Sequence, residues 1–230
     1  PVSARWGRML VEAEERRVLP DVITLVSIME QGRITNRKSN GWKKNAQISN
    51  WSDAFVQLAA YEVALGLSPD QLEEHGIEPK AFTEAREQRH RLYATPQSAL
   101  KVRRSTGQEK DIVCSIYAGL ADCLYKKSVV QGYKDKSGGT RDLPPDSVVA
   151  GAQWVIGLPW NLQVRTDFGP KTLRLITMAT RVDPDLLKEV APHLVLVEEK
   201  KSAEVAGRRV KKVQIYFNGM LLTEEQKRAS

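Results

Sequence analysis

A change of hydrophobic period near Lys127 constrains the fold of this sequence more than any other feature. Before that point apolar residues recur at helical spacing, and Trp6, Met9, Leu10 and Ala13 fall at i, i+3, i+4 and i+7. After that point apolar and polar residues alternate, which is the period of a half-buried β-strand. The sequence therefore predicts a helical first half and a β-rich second half.

Capping and breaking residues divide the first half into successive helices. Pro20 can open a helix that Gly32 ends, and Pro79 can open another. Ser52 precedes a helix that is apolar on nearly every face, and such a helix must be surrounded by other helices. The last helix of this half is predicted from about Glu109 to Lys126.

Strand and turn signals dominate the second half. Strands are predicted at 128–135 and 153–158, and Asn218-Gly219 is a strong hairpin signal. Asp183-Pro184 opens a single helix among the strands. Further alternating segments contain Leu162 and Val164, Leu173 and Leu175, and Val213, Ile215 and Phe217. About five or six short strands with one inserted helix suit a small barrel of the OB type, and a sandwich fits the pattern nearly as well.

We therefore predict an α+β protein in which an N-terminal helical bundle is followed by a small OB-like β-barrel with an inserted helix. Residues 1–108 are assigned to the helical domain, and residues 109–230 to the barrel with its leading helix. The first residue is Pro1 and not Met, which leads us to expect a piece of a longer protein.

The cysteines and the hydropathy indicate the cellular setting. Cys114 and Cys123 are predicted on one helix about half a turn out of phase, so a disulfide between them is implausible. A reducing, cytoplasmic compartment is therefore expected. No apolar run is long enough to span a bilayer, so no membrane partner is expected.

The charge favours a polyanionic partner. The formal net charge is +7, and each Lys or Arg that neutralises a phosphate releases a condensed counterion. A merely soluble basic protein would show the same balance. The sequence contains no phosphate-binding glycine loop, no nucleophile elbow and no histidines at metal-ligand spacing. We therefore expect no ATPase site, no catalytic residue, no bound cofactor and no metal site in this chain.

One basic cluster lies in the polar stretch 33–50. A base could stack on Trp42 while Arg37 and Lys38 hold phosphates. A flexible insertion with one tryptophan tucked under it is the alternative interpretation.

Two more basic clusters belong to regular elements. Arg86 and Arg89 are i, i+3 on one predicted helix, so both can face the same strand of nucleic acid. Arg165, Lys171 and Arg174 flank a predicted hairpin, and such hairpins beside an OB face contact single strands.

Several segments, taken in order, resemble the C-terminal region of DEAH-box helicases. They are "CSIYAGLADCLYKK", "DSVVAGAQWVIG" and "LRLITMATRVDPDLLKEVAPHL". In the first half, "WSDAFVQLAAYEVA" and "FTEAREQRHRL" are similar to helices of the ratchet-like domain of that family. The resemblance covers about residues 2 to 195.

The resemblance implies a ratchet-like helical domain followed by an OB-fold, lying against two motor domains that this chain lacks. Such accessory domains close a channel over single-stranded RNA or DNA, while ATP, with Mg, is bound between the motors. By position, Arg86 and Arg89 fall on the ratchet helix, and Thr166, Lys171 and Arg174 on the barrel hairpin. Both groups are expected to line one shared groove. The alternative is a protein-interaction module whose OB face receives a regulatory partner.

Overall fold

The computed structural model describes residues 3–36, 49–94, 101–167, 169–205 and 208–228. Within those residues the chain is an α+β protein. Its helices are α1 Ala4–Glu15, α2 Leu19–Met29, α3 Asp53–Ala64, α4 Pro69–Glu74, α5 Pro79–Ala94, α6 Glu109–Leu120 and α7 Pro184–Val190, followed by a 3₁₀ helix at Pro192–Leu194. Its strands are β1 Leu124–Lys127, β2 Tyr133–Lys134, β3 Thr140–Arg141, β4 Trp154–Thr166, β5 Gly169–Arg181, β6 Val195–Val205, β7 Arg208–Phe217 and β8 Met220–Arg228.

The predicted helix boundaries in the first half follow the capping chemistry. The Ser52 hydroxyl accepts a hydrogen bond from the Ala54 amide at 3.0 Å and so caps α3. Pro20 lies in the first turn of α2, where a missing N–H costs nothing. Gly32 follows that helix with a φ of 84°, a left-handed conformation that favours glycine.

One continuous cluster of buried apolar side chains extends from Met9 in α1 to Leu222 in β8. Helix α6 packs so closely on α1 that a Cβ on Gly119 would lie 2.9 Å from the Arg5 carbonyl oxygen and 2.9 Å from Met9 Cβ. The first helix of the predicted second domain is thus packed against the first helix of the first domain. The boundary after residue 108 stays a prediction.

The last helix of the first half is shorter than predicted. Helix α6 ends at Leu120, and Leu124 begins strand β1 and pairs with Ile156 of β4. Strand pairing therefore overrides the helical spacing of the apolar residues in this segment. Cys114 and Cys123 do not share a helix; both are buried and free, and burial raises the pKa of each thiol to about 11.

The strands after β1 also differ from the prediction. Residues 128–135 contain a loop and only the two-residue strand β2, because Gly132 adopts a left-handed φ of 66° and turns the chain. The strand predicted at 153–158 continues to Thr166 and forms one long antiparallel hairpin with β5. The helix predicted at Asp183-Pro184 and the hairpin at Asn218-Gly219 are confirmed.

The strands form two sheets. The first has the order β3-β2-β1-β4-β5 and the second the order β6-β7-β8. A single parallel bridge joins Asp142, just after β3, to Leu175 of β5, so the two edges of the first sheet meet there. Among the described residues the strands do not close into a continuous barrel, and the predicted OB-like barrel is not confirmed. The segment with Val213, Ile215 and Phe217 lies in the second sheet because it pairs only with β6 and β8.

A polar junction connects α3 to the β-rich half. The Ser52 hydroxyl lies 2.7 Å from the Thr180 hydroxyl of β5. The Asp53 carboxylate accepts hydrogen bonds from the Ser147 hydroxyl at 2.8 Å and the Val148 amide at 2.8 Å. The Ser-Asp pair therefore caps its own helix and fixes the loop that leads into β4.

Asp53→Asn is expected to remove part of the pH dependence of stability. Burial raises the pKa of Asp53 from 3.8 to about 6, although the hydrogen bonds from Val148 and Ser147 lower it. Because the pKa of Asp53 is higher in the folded than in the unfolded state, the contribution of Asp53 to the free energy of unfolding rises as the pH falls from about 7 to about 4. Thermal melts across this window should show the wild type gaining on the variant as the pH falls. Parallel curves would contradict the assignment.

Candidate nucleic-acid interface

The two arginines predicted on the ratchet helix lie on α5 in different settings. Arg86 is exposed, with its guanidinium carbon 5.9 Å from the centre of the Phe82 ring. Arg89 is half-buried: its Nε donates to the Thr24 hydroxyl of α2 at 2.8 Å, and its guanidinium lies over the Tyr93 ring at 4.8 Å. The Arg86 side chain is therefore open to solvent, whereas that of Arg89 holds α5 against α2.

A buried tyrosine lies beneath these arginines. Tyr61 of α3 packs on Phe82 with ring centres 5.3 Å apart. Burial raises the pKa of Tyr61, and the positive charges of Arg89 and Arg86 lower it. Its hydroxyl has no hydrogen-bond partner in the described part of the chain. This face of α5 is therefore positively charged above an aromatic layer.

The β4–β5 hairpin carries the second group of predicted residues. Its base is buried, whereas the outer half alternates between exposed and half-buried side chains. Arg165 pairs with Pro170, and Arg174 pairs with Asn161. Because paired residues and every second residue of a strand share a face, Arg165 and Arg174 lie on the same polar face.

Lys171 and Thr166 lie on the opposite face of the hairpin. Lys171 pairs with Val164, two residues before Thr166, and this face also contains Leu162 and Leu173. The Thr166 hydroxyl donates to the Gly169 carbonyl at 2.8 Å, so it closes the turn. The register, which the alternating pattern does not reveal, thus separates Lys171 and Thr166 from the two arginines.

One open groove of about 790 Å³ lies between the helical and the β-rich halves. Its walls carry Trp6 of α1 and Trp160 of β4, with Arg5 beside Trp6. The Arg5 guanidinium is held by the Asp122 carboxylate at 2.9 Å. Both indoles are half-buried, so each offers part of its ring face to the open groove.

The predicted binding residues do not line this groove. The polar and ring contacts of Arg86 and Arg89 lie within the helical half, and the hairpin residues pair within the β-rich half. Direct contacts among the described residues therefore do not bring the two groups together. Arg37, Lys38 and Trp42 lie outside the described residues. Trp160 was not singled out from the sequence, because its place in the same groove as Trp6 depends on tertiary packing.

The helical half matches a known domain family. Residues 3–98 match the family described as "Helicase associated domain (HA2), ratchet-like". The helical half is similar to a ratchet-like, helicase-associated domain. This ratchet-like region contains α1 to α5, and therefore both Arg86 and Arg89.

The fold of the whole chain is similar to part of a solved NTPase structure. The crystal structure of the Escherichia coli DExH-box NTPase HrpB aligns with a TM-score of 0.52 and 16% sequence identity. The alignment covers 98% of this chain and 23% of that chain. At this identity the likeness concerns the fold alone. No curated protein matches the sequence.

Two further properties concern membranes and metals. No helix in the described ranges is both long and apolar enough to cross a bilayer. Within the same ranges, no group of three or more His, Cys, Asp or Glu side chains could hold a metal ion.

Proposed function

We propose that this chain is the C-terminal accessory region of a DEAH-box RNA helicase and grips single-stranded RNA or DNA. Motor domains of the parent protein would bind ATP and Mg and drive unwinding, and the whole protein would work in the reducing cytoplasm. The observation that carries the proposal is the ratchet-like match over residues 3–98. The positively charged face of α5 in this region supports it.

An OB-like assignment of the five-stranded sheet belongs to this proposal. Successive pairings connect β2 to both β1 and β3, and connect β4 to both β1 and β5. The bridge between Asp142 and Leu175 adds the missing connection between the β3 and β5 edges. A ring of five strands with one weak seam corresponds to a partly open barrel, and such barrels bind single strands on one face.

Roles follow for the proposed binding residues. Arg86 offers an exposed guanidinium for a phosphate, and Arg89 contributes charge while it anchors α5. Arg165 and Arg174 present cations on the polar face of the hairpin. Lys171 and Thr166 can contact only a nucleic-acid strand that lies along the opposite, more apolar face of the hairpin. Arg37, Lys38 and Trp42 are proposed as further contacts on the strength of the sequence.

Arg86→Gln is expected to weaken oligonucleotide binding without unfolding the protein. The side chain is exposed, so its loss should not unfold the protein. A single strand held by four or five phosphate contacts has a log–log salt slope of roughly −3 to −3.5. Losing one contact should make that slope shallower by about 0.7. Fluorescence anisotropy with a labelled single strand at several salt concentrations measures both changes.

Lys80→Gln is the matched control for Arg86→Gln. Lys80 lies on the same helix, and its side chain is 82% exposed. Its ammonium forms a long ion pair with Glu84 at 3.9 Å. Its replacement removes the same charge and should leave the slope within error. Equal effects of the two changes would mean that α5 contributes general charge and makes no defined contact.

A protein-interaction module remains the second candidate function. Strand β6 is an edge strand, and Leu196 and Val197 on it are each 56% exposed. An extended peptide could add to such an edge and cover both side chains. Salt-independent peptide capture without oligonucleotide binding would favour this function over the first.

A further inference from the structure

Three side chains form a row across strands β2, β1 and β4 of the first sheet. Lys134 of β2 is the direct partner of Lys126 of β1, and Lys126 is the direct partner of Trp154 of β4. Directly paired residues share a face, so both lysines and the indole lie side by side. The Lys126 ammonium lies 5.0 Å from the centre of the Trp154 ring.

Two lysines in direct cross-strand pairing repel each other and destabilise a sheet. The structure does not relieve this repulsion with acids, because neither lysine forms an ion pair with a carboxylate among the described residues. The adjacent Asp135 lies just beyond β2, outside the strand. Its carboxylate is occupied by the amides of Ser137 and Gly139 in its own turn. An anion bound from outside would relieve the repulsion.

The loop between these two strands holds apolar side chains in solvent. Val129 and Val130 are 104% and 93% exposed. The Ser128 amide donates to the Gly132 carbonyl at 2.8 Å and closes the loop. A Cβ on Gly132 would lie 2.7 Å from the Arg141 carbonyl oxygen, so the loop packs tightly on β3. The valines are therefore held outward by a loop that is fixed to the sheet.

We propose that the Lys126–Lys134 row and the valine loop (128–132) form a second binding site for single-stranded nucleic acid. This inference rests on the proposed function and adds a site to it. Partners in an antiparallel pair are about 5 Å apart, so the two ammonium groups reach one phosphate or two successive phosphates. The valines contact sugars or bases next to those phosphates.

Charge and shape favour a nucleic acid over other polyanions. The site combines cations with a small apolar surface, and a single strand offers phosphates beside apolar base faces. A bilayer site would carry larger apolar groups such as Trp, Phe or Leu beside its cations. An acidic peptide would need no valines next to the lysines.

The test compares Lys126→Met/Lys134→Gln with a control pair, Lys80→Gln/Lys110→Gln. Methionine keeps the aliphatic stem over Trp154, and Lys110 is an exposed lysine on α6, so both variants lose two charges. With a fluorescein-labelled single strand, the first variant should have a log–log salt slope that is shallower by about 1.4 than that of the wild type. Near 0.1 M salt it should bind the strand about tenfold more weakly than the wild type. The control pair should lower the slope by less than half as much.

A second variant, Val129→Ser/Val130→Ser, tests the apolar part of the site. Its melting temperature should equal that of the wild type, because both side chains are exposed. It should bind an ordinary strand several-fold more weakly and an abasic strand of the same length unchanged.

The outcomes separate this site from the proposed function. If the wild type binds no oligonucleotide, the proposed function fails and this site fails with it. If the wild type binds and the row variant behaves as the control pair does, only this site is overturned. The proposed site would also be overturned if the Lys126→Met/Lys134→Gln variant bound anionic vesicles or polyglutamate more weakly than the wild type but bound the single strand as tightly.

Discussion

Gly119→Ala is expected to lower the free energy of unfolding by about 1–3 kcal/mol, because overpacking a close helix contact forces both helices to shift. The added Cβ would lie 2.9 Å from the Arg5 carbonyl oxygen, and backbone cannot move aside as a flexible side chain can. Urea unfolding followed by circular dichroism measures the change.

Gly7→Ala is the matched control, since it also replaces a helical glycine. Nothing lies within 4 Å of a Cβ on Gly7 in α1, so alanine fits there without strain. This change is expected to raise the free energy of unfolding by about 0.5–1 kcal/mol, because alanine loses less backbone entropy in a helix. If both variants shift stability in the same direction, the close approach of α1 and α6 is not what requires glycine at residue 119.

Arg16→Met is expected to cost about 2–3 kcal/mol, because it leaves the mostly buried Glu12 and two more exposed carboxylates without their cation. Arg16 pairs with Glu12 at 2.7 Å, with Glu189 of α7 at 3.0 Å and with Asp111 of α6 at 3.4 Å. Its side chain is 19% exposed and that of Glu12 13%. Methionine keeps the aliphatic stem, so the loss reports the charge. Denaturant unfolding at neutral pH measures it.

Two controls define the origin of that loss. Arg5→Met breaks the exposed pair with Asp122, where the side chains are 33% and 61% exposed, and should cost less than about 1 kcal/mol. Glu12→Gln in the Arg16→Met background should recover part of the stability by removing an unpaired charge. Equal losses for the two arginine variants would show that burial of the cluster adds nothing.

Local chemistry in the sequence was sufficient to predict most of the helices and two of the turns. Ser52 and Asp183 accept hydrogen bonds from backbone amides two or three residues ahead, and Pro20 fixes its own φ in the first helical turn, so their effect can be read from neighbouring positions. Asn218-Gly219 likewise fixes a hairpin through its own positive φ angles of 48° and 81°. The α+β class follows from these local signals.

Long-range pairing could not be predicted in the same way. Leu124 continues the apolar spacing of α6, and only its pairing with Ile156 of β4 makes it part of a strand. The register of β4 and β5 places Lys171 away from Arg165, although both flank the same turn. The pairing of Lys126 with Lys134 was missed for the same reason, because two lysines separated by a loop give no sign of lying side by side.

The single buried cluster that extends from α1 to β8 joins the helical and the β-rich halves through one shared apolar core. Helix α6 packs against α1 and the Ser52 hydroxyl lies 2.7 Å from the Thr180 hydroxyl, so the two halves are in direct contact beside their open groove. A displacement of one half is therefore expected to move the other half with it as a rigid body. Severed after residue 108, each half would expose to water the apolar surface that the other half now covers.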